Sequence, residues 1–171
     1  GSHVKKTTRQ LECLKESNCP LEWIEFHVAE WKNEGGLEKE AATCASLAEA
    51  AMANGKTAVV YTSRTVIDLS DQTPEQLLAI SVRISDALTS VVSRLAKRPR
   101  FLIAKGGITS SDVGTIALAV KKARVLGQVQ PGIPVWKIGE ESRFPGMSYI
   151  IFPGNVGDED TLRKIVEVLN R

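Results

Sequence analysis

The sequence predicts an α/β protein in which helices cover both faces of a mainly parallel sheet. The main observation is that apolar runs of strand length alternate with longer segments of helical period through most of the chain. Residues 57–62 also form a β-rich run with the length of a buried strand. With 171 residues, 43% of them hydrophobic, one domain over 1–171 can form a full core. Together these observations predict a three-layer α/β/α sandwich with a Rossmann-like sheet.

The elements of the first half follow from periodicity and from end signals. Residues 37–54 are rich in Ala, Leu and Glu and stop at Asn54-Gly55, which is a typical helix end. A later helix begins at Thr73-Pro74, because threonine is a good N-cap and proline is favoured at the first helical position. The predicted elements are a helix over 7–17, a strand over 21–28, a helix over 37–54, a strand over 57–62 and a helix from 73 to about 95.

The second half continues this alternation. Residues 101–104 are an apolar run that breaks into glycines, and the apolar residues of 162–169 recur on one side of a closing helix. The predicted elements are a strand over 101–104, a helix from 112 to about 126, strands over 134–138 and 148–152, and the helix near the carboxyl terminus.

Composition and charge exclude several classes of function. Lys and Arg number 22 against 20 Asp and Glu, so the formal charge is only +2 and no basic excess supports nucleic-acid binding. No run approaches the roughly 20 apolar residues of a membrane span, and the first residues do not lead into a signal peptide. Cys13, Cys19 and Cys44 are odd in number and lack a C-x-x-C spacing, which indicates free thiols. We therefore expect a cytoplasmic protein without nucleic-acid or membrane partners.

The segment after residue 104 has the pattern of an anion-binding turn. Gly106 and Gly107 follow a strand, and residues 109–112 then offer hydroxyls and an N-cap for the next helix. Glycine allows positive φ and close approach of the backbone, and the free N–H groups of a helix start favour phosphate. Lys105 abuts this loop and could reach the same anion. The pattern predicts a phosphate site, but it is also an ordinary way to leave a strand, and spacing alone leaves both interpretations open.

A second loop of similar composition follows residue 152. Residues 153–158 link a strand to a helix, and a parallel sheet directs ligands to the carboxyl ends of its strands. We therefore expect Gly154 and Asn155 to lie beside residues 106–109, with the Asn155 amide donating to a phosphate or ribose oxygen. Simple chain reversal explains the glycines and proline of this loop equally well.

Three motifs resemble successive motifs of the C-terminal, nucleotide-binding half of the four-carbon acid-sugar kinase family, which includes oxo-tetronate and threonate kinases. They are GGITSSDV at 106–113, LGQVQPGIPVW at 126–136 and FPGNVG at 152–157. The opening is also similar to this family, in which a Gly-Ser turn precedes a Thr-x-x-Gln helix start, as Gly1-Ser2 precedes Thr7-Thr8-Arg9-Gln10. The resemblance covers the whole chain in order, and its second half is the more specific part.

The resemblance implies ATP-dependent transfer of the γ-phosphate to a hydroxyl of a four-carbon acid sugar such as a tetronate, a threonate or an oxo-tetronate. It also implies that the substrate is bound mainly by a separate N-terminal domain, which we expect to be absent here and to carry the catalytic base. The isolated domain is therefore expected to be inactive, and we assign no catalytic residue within it. By similarity, the residues that contact ATP are Ser2, Gly106, Gly107, Ile108, Thr109 and Gly154, to which the expected loop geometry adds Asn155.

A divalent cation is expected with the nucleotide. Phosphoryl transfer depends on positioning and charge neutralisation, so we expect Mg²⁺ to bridge the phosphates, although no carboxylate pair marks a metal site. Some relatives carry an acidic residue at the position of Ile108, where this chain offers only its backbone for polar contacts. Ile108 therefore departs from the pattern of those relatives.

Two other function classes stay open. The first is a Rossmann-like module that binds a dinucleotide or another phosphate-bearing ligand in an oxidoreductase. Against it, the chain has no G-x-G-x-x-G after its first strand, and it also lacks the G-x-x-x-x-G-K-[ST] of P-loop enzymes. The second is a non-catalytic interaction domain, which no exposed apolar stripe or charged tail supports. The sequence leaves a homo-oligomer open as well.

Overall fold

The structure is a computed structural model that describes residues 4–64 and 71–171. Contacts between residues divide the chain into two compact units. One unit comprises the described residues from 21 to 96, and the other joins residues 4–20 to residues 97–171. Each unit has its own sheet, and each is described separately below.

In the unit over 21–96, helix α2 (Gly36–Ala53) packs against a two-stranded parallel sheet, and helix α3 (Pro74–Ser93) packs against α2. Its α3 helix starts as predicted, with a capping box in which Thr73 Oγ1 accepts from Gln76 N at 3.3 Å and Gln76 Oε1 accepts from Thr73 N at 2.8 Å. Pro74 is the first residue of this helix. The elements are β1 (Leu21–Phe26), a 3₁₀ turn (Val28–Lys32), α2 (Gly36–Ala53), β2 (Thr57–Thr62) and α3 (Pro74–Ser93), with β1 and β2 in parallel register.

The other unit contains a four-stranded sheet, whose strands in spatial order are β3 (Phe101–Lys105), β6 (Ser148–Phe152), β5 (Ile133–Ile138) and β4 (Ala123–Gln130). β3 and β6 are parallel, whereas β5 is antiparallel to both of its neighbours. The elements are α1 (Lys5–Lys15), β3 (Phe101–Lys105), α4 (Gly107–Asp112), a π-helical segment (Val113–Ala117), β4 (Ala123–Gln130), β5 (Ile133–Ile138), β6 (Ser148–Phe152) and α5 (Thr161–Leu169).

The prediction of one mainly parallel sheet is wrong in part, because the described strands form two sheets and the larger is mixed. The reason lies in the turn between β4 and β5. Gly132 has φ +76°, and its N–H donates to Gln128 Oε1 at 2.8 Å, which closes a tight hairpin. Strands joined by such a short turn must be antiparallel, since a parallel pair needs a long crossover. The three-layer arrangement stays a prediction.

The predicted helix over 112–126 is also wrong. The helix begins earlier, at Gly107, and its last turns widen into the π-helical segment, where Leu118 N donates to Val113 O at 2.9 Å. Ala119 then has φ +53°, a left-handed conformation that ends the helix. Residues 123–126, predicted as its last turn, instead belong to β4, the strand at one edge of the sheet.

A continuous apolar core fixes the β3 and β6 strands that carry the site. Tyr149 and Phe152 of β6 are completely buried, as is Leu118 after the π-helical segment. α1 packs against α5, with Leu14 and Ile165 buried on these helices. Among the described residues, every helix is too short or too polar to cross a membrane.

Candidate functional site

Two loops start side by side at the carboxyl ends of β3 and β6. The parallel register pairs Lys105 with Phe152, and Gly106 N donates to Phe152 O at 2.9 Å just beyond the last pair. The loops that begin at Gly106 and at Pro153 therefore leave the same edge of the sheet. This juxtaposition is the one expected from the sequence, and it is where α/β proteins commonly bind ligands.

The two glycines of the first loop have different structural roles. Gly106 is buried and has φ +119° and ψ +143°, a conformation that only glycine adopts without strain. Gly107 is exposed and is the first residue of α4, and a Cβ added there would meet no heavy atom of residues 4–64 and 71–171 within 4 Å. The loop thus requires glycine at 106 to form its turn, whereas glycine at 107 leaves open space over the backbone.

Ser110 and Tyr149 hold the glycine turn from below. The Ser110 hydroxyl donates to Gly106 O at 2.7 Å and lies 3.1 Å from Gly107 O. The Tyr149 hydroxyl donates to Ser110 O at 2.6 Å, and burial raises the pKa of Tyr149 well above its usual range, so it remains a neutral donor. Sequence analysis identified neither supporting role.

The expectation that residues 109–112 supply the helix N-cap is wrong, and so is the expectation that Ser110 offers its hydroxyl to a ligand. The N-cap is Gly106, so these residues lie inside α4. Ser110 is buried and its hydroxyl is used within the turn. The correction follows from the early helix start, since the strand passes into α4 through a single glycine.

The other predicted site residues lie along the same two loops. Ile108 is 73% exposed, and Thr109 beside it is half-buried. In the second loop Gly154 is half-buried and Asn155 is exposed. Ser2 lies outside the described residues. The structure thus brings the predicted residues of both loops to one edge of the sheet, and their contacts with ATP stay a prediction.

Helix α1 holds the second loop, a role that sequence analysis missed. Gln10 is completely buried, and its Nε2 donates to Val156 O at 3.3 Å and to Asp158 O at 2.8 Å. Lys6, one turn earlier, donates to Asn155 O at 3.1 Å. The Thr-x-x-Gln motif at 7–10 was the available signal, but nothing local indicates that its glutamine binds a loop almost 150 residues away.

Lys105 lies at the junction of the two loops. Its Nζ is 3.8 Å from the centroid of the Phe152 ring and donates to Pro153 O at 3.3 Å and to Gly154 O at 3.4 Å. Burial, together with repulsion from Lys6, lowers the pKa of Lys105 to about 8. The Lys105 side chain is therefore mostly protonated at neutral pH, although burial makes its charged form less stable than it is in water.

Reactive side chains elsewhere form no comparable site. In residues 4–64 and 71–171, no group of three or more His, Cys, Asp or Glu side chains could hold a metal ion. Cys44 is buried in α2, and burial raises the pKa of its thiol to about 12, so it is an unreactive core residue. His27 is paired with Glu40 at 2.7 Å, and that hydrogen bond raises the pKa of His27.

Several solved structures share this fold at low sequence identity. A DUF1537 domain from Bordetella bronchiseptica, a domain-swapped dimer with bound citrate, aligns with a TM-score of 0.66 and 14% identity over 99% of this chain and 39% of that one. A DUF1537 protein from Haemophilus influenzae aligns with a TM-score of 0.65 and 24% identity over 99% of this chain and 39% of that one. A Salmonella typhimurium LT2 protein, provisionally described as a tRNA synthase, aligns with a TM-score of 0.69 and 20% identity over 96% of this chain and 38% of that one. The chain thus spans 38–39% of the length of these proteins.

Sequence comparison identifies the family directly. Comparison with curated proteins found no match. A family model described as a nucleotide-binding C-terminal domain matches residues 1–162, a range that includes both glycine loops, Lys105 and helix α1. The chain therefore belongs to the family of nucleotide-binding C-terminal domains.

Proposed function

We propose that this chain binds ATP across the β3 and β6 loops and is the nucleotide-binding part of a kinase. The kinase transfers the γ-phosphate of ATP to a hydroxyl of a four-carbon acid sugar. The observation that carries the proposal is the pair of glycine loops at one sheet edge, next to the Lys105 ammonium, in a chain of a nucleotide-binding family. A phosphate chain needs this combination of close backbone approach and positive charge.

The residues of the first loop have distinct parts in this proposal. The N–H groups of Gly107 and Ile108 lie in the first turn of α4, where backbone donors have no acceptor within the helix. They would donate to phosphate oxygens, together with the hydroxyl of Thr109. Ile108 offers no polar side chain, so its exposed alkyl group would cover the nucleotide rather than hold a metal.

Residues Gly154 and Asn155 would contact the nucleotide from the second loop, and Ser2 would contact it from the amino-terminal side. Phosphate oxygens and water would hold a Mg²⁺ ion here, since Mg²⁺ needs few protein carboxylates when phosphates supply its oxygen ligands. Its chemistry would be to neutralise the charge that develops during transfer. The protein groups bind and orient the phosphates.

The acid-sugar substrate is proposed to bind to a further domain. The chain corresponds to about two fifths of each related structure, so most of such a protein lies outside the aligned region. The phosphoryl acceptor and its base would then come from that other part.

The isolated 171-residue chain is expected to bind ATP with Mg²⁺ at up to millimolar concentration and to phosphorylate nothing. Titration calorimetry measures the first outcome, and an ADP-release assay with threonate and erythronate measures the second. NAD serves as the control ligand. Binding of NAD without binding of ATP would contradict the kinase proposal and favour the oxidoreductase module, and phosphorylation of either sugar acid would contradict the need for a second domain.

We propose in addition that the chain forms a homo-oligomer through β4. This strand is one of the two edge strands of its sheet, and its side chains Val125 and Leu126 are 63% and 53% exposed. The Bordetella relative is a domain-swapped dimer, which supports self-association within this fold. Light scattering after gel filtration is expected to show a dimer for the wild type and a monomer for a Val125→Lys, Leu126→Lys variant. A wild-type chain that stays monomeric as its concentration is raised would contradict this proposal, because dimer formation depends on protomer concentration.

A further inference from the structure

Two lysines from opposite ends of the sequence donate to the same short loop. Lys105 Nζ reaches Pro153 O at 3.3 Å and Gly154 O at 3.4 Å, and Lys6 Nζ reaches Asn155 O at 3.1 Å. Three consecutive carbonyl groups therefore hold two ammonium groups. An ammonium has three N–H donors, so both lysines keep donor capacity beyond these bonds.

The two positive charges are not neutralised by the protein groups that hold them. In the described ranges, neither lysine forms an ion pair with a carboxylate, and carbonyl groups carry no net charge. Two acidic residues that follow the loop have cationic partners of their own: Glu159 pairs with Arg9 at 2.7 Å, and Asp160 pairs with Lys164 at 2.7 Å. In the part of the chain that the structure describes, the two ammonium groups thus have carbonyl partners and no carboxylate partner.

The location of Lys105 specifies where an anion bound to these ammonium groups would lie. Lys105 is the last residue of β3 and directly precedes the Gly106 turn, while its side chain reaches across to the β6 loop. An anion bound to its ammonium would therefore lie at the same sheet edge as Gly107, where an added Cβ would meet no heavy atom of the described residues within 4 Å. The Phe152 ring, 3.8 Å from Nζ, limits the access of water to one side of the cation.

We propose that Lys105 and Lys6 bind the polyphosphate of the nucleotide, an inference that rests on the proposed ATP binding. Lys105 is the principal contact because it is half-buried and joins both loops. Lys6 adds a second, exposed charge from α1. The carboxylate of an acid-sugar substrate offers the same recognition chemistry, so the experiment includes a test of each anion.

The test compares ligands that carry the nucleoside, the polyphosphate, both of them, or a carboxylate instead. Titration calorimetry with ATP, adenosine, tripolyphosphate and threonate is carried out on the wild type and on the variants Lys105→Met, Lys105→Arg, Lys6→Met and Lys5→Met. Methionine keeps the side-chain stem against Phe152 and removes the charge. Lys5 is the matched control, because it is an exposed lysine of the same helix and forms no hydrogen bond with residues 153–155 in the described structure.

Lys105→Met is expected to lower the affinity for ATP and for tripolyphosphate about 10- to 100-fold, as for the loss of a charged hydrogen bond, while the affinity for adenosine stays unchanged. Lys6→Met is expected to lower the affinity for the same two ligands about 3- to 10-fold, because the Lys6 ammonium is exposed. Lys105→Arg retains most of the affinity and Lys5→Met all of it. If the lysine only held the loop in place, its replacement would instead lower the affinities for adenosine and for ATP alike.

Proton uptake provides a second readout. Because the pKa of Lys105 is about 8 and a bound phosphate favours the charged form, binding at pH 8.5 is expected to take up a fraction of one proton. Repeating the ATP titration in two buffers of different ionisation enthalpy measures this uptake. The Lys105→Met variant should lose it, whereas Lys5→Met should keep it. A role confined to loop structure predicts no change in proton uptake on mutation.

The outcomes separate this inference from the proposed function. If the wild type binds neither ATP nor tripolyphosphate, the ATP-binding proposal fails and the role of the lysines fails with it. If the wild type binds ATP and Lys105→Met binds it equally well, the function stands and the lysine assignment is overturned. If Lys105→Met lowers the affinity for threonate but not for tripolyphosphate, the two lysines bind the carboxylate of the substrate, and the assignment to the polyphosphate is wrong.

Discussion

Replacing Gly107 with valine is expected to reduce ATP affinity about 10- to 100-fold while leaving the thermal unfolding midpoint close to the wild-type value. The reason is that Gly107 lies in the first turn of α4 with ordinary helical geometry, and an added Cβ meets no protein atom within 4 Å. Valine therefore costs little in the folded protein, but it fills the space through which a phosphate would approach the backbone N–H groups. Calorimetric titration and differential scanning calorimetry measure the two quantities.

Ser111→Val is the matched control for this substitution. It adds a β-branched side chain at an exposed position of the same helix, one turn beyond the glycine loop. It is expected to leave ATP affinity within about twofold of the wild type, as for a typical surface substitution. Normal ATP affinity in Gly107→Val would show that the ligand does not approach the backbone here, and the phosphate interpretation of this loop would then be wrong.

Replacing Gly106 with valine is expected to destabilise the protein itself. Gly106 has φ +119°, which is unfavourable for any residue with a Cβ, and it is buried beneath the loop. Forcing valine into this conformation costs about 1–3 kcal/mol, which lowers the unfolding midpoint by roughly 2–12 °C for a chain of this size. The strained turn also misplaces the N–H groups that follow it, so ATP affinity falls too.

Gly106→Ala provides the graded comparison. Alanine has the same backbone penalty with less bulk, so its unfolding midpoint should lie between those of the wild type and the valine variant. Thermal unfolding followed by circular dichroism gives all three values. An unchanged midpoint in both variants would mean that the turn at Gly106 readily adopts a negative φ, in conflict with its hydrogen bond to Phe152.

Local signals predicted much of the fold correctly. The start of α3 depends on Thr73, Pro74 and Gln76, which are neighbours in sequence, and the predicted cap forms. The adjacency of the loops after β3 and β6 was also predictable, because both strands are strongly apolar and both end in glycine-containing segments. In each case the relevant interactions follow from short-range patterns and from the general rule on parallel strands.

The errors arise where long-range contacts decide the structure. Residues after 117 continue a helical spacing, but the π-helical segment and the left-handed Ala119 end the helix, and pairing with β5 makes β4 a strand. Ser110 belongs to a motif typical of ligand contact, yet its hydroxyl is used to brace the turn above Tyr149. Nothing near Lys6 in the sequence indicates that it donates to Asn155, 149 positions away.

The attachment of helix α1 to the second loop has a consequence for the order of folding. Gln10 and Lys6 contact residues 155–158 across separations of 146 to 149 positions, so these bonds close a very long loop. Contacts between such distant segments form late, since the entropy of closing a long loop must be overcome first. During synthesis, α1 leaves the ribosome before residues 155–158 and must wait until they have been produced. We therefore expect the ligand edge to be completed late in the folding of this unit, and nucleotide binding would then report that these contacts have formed.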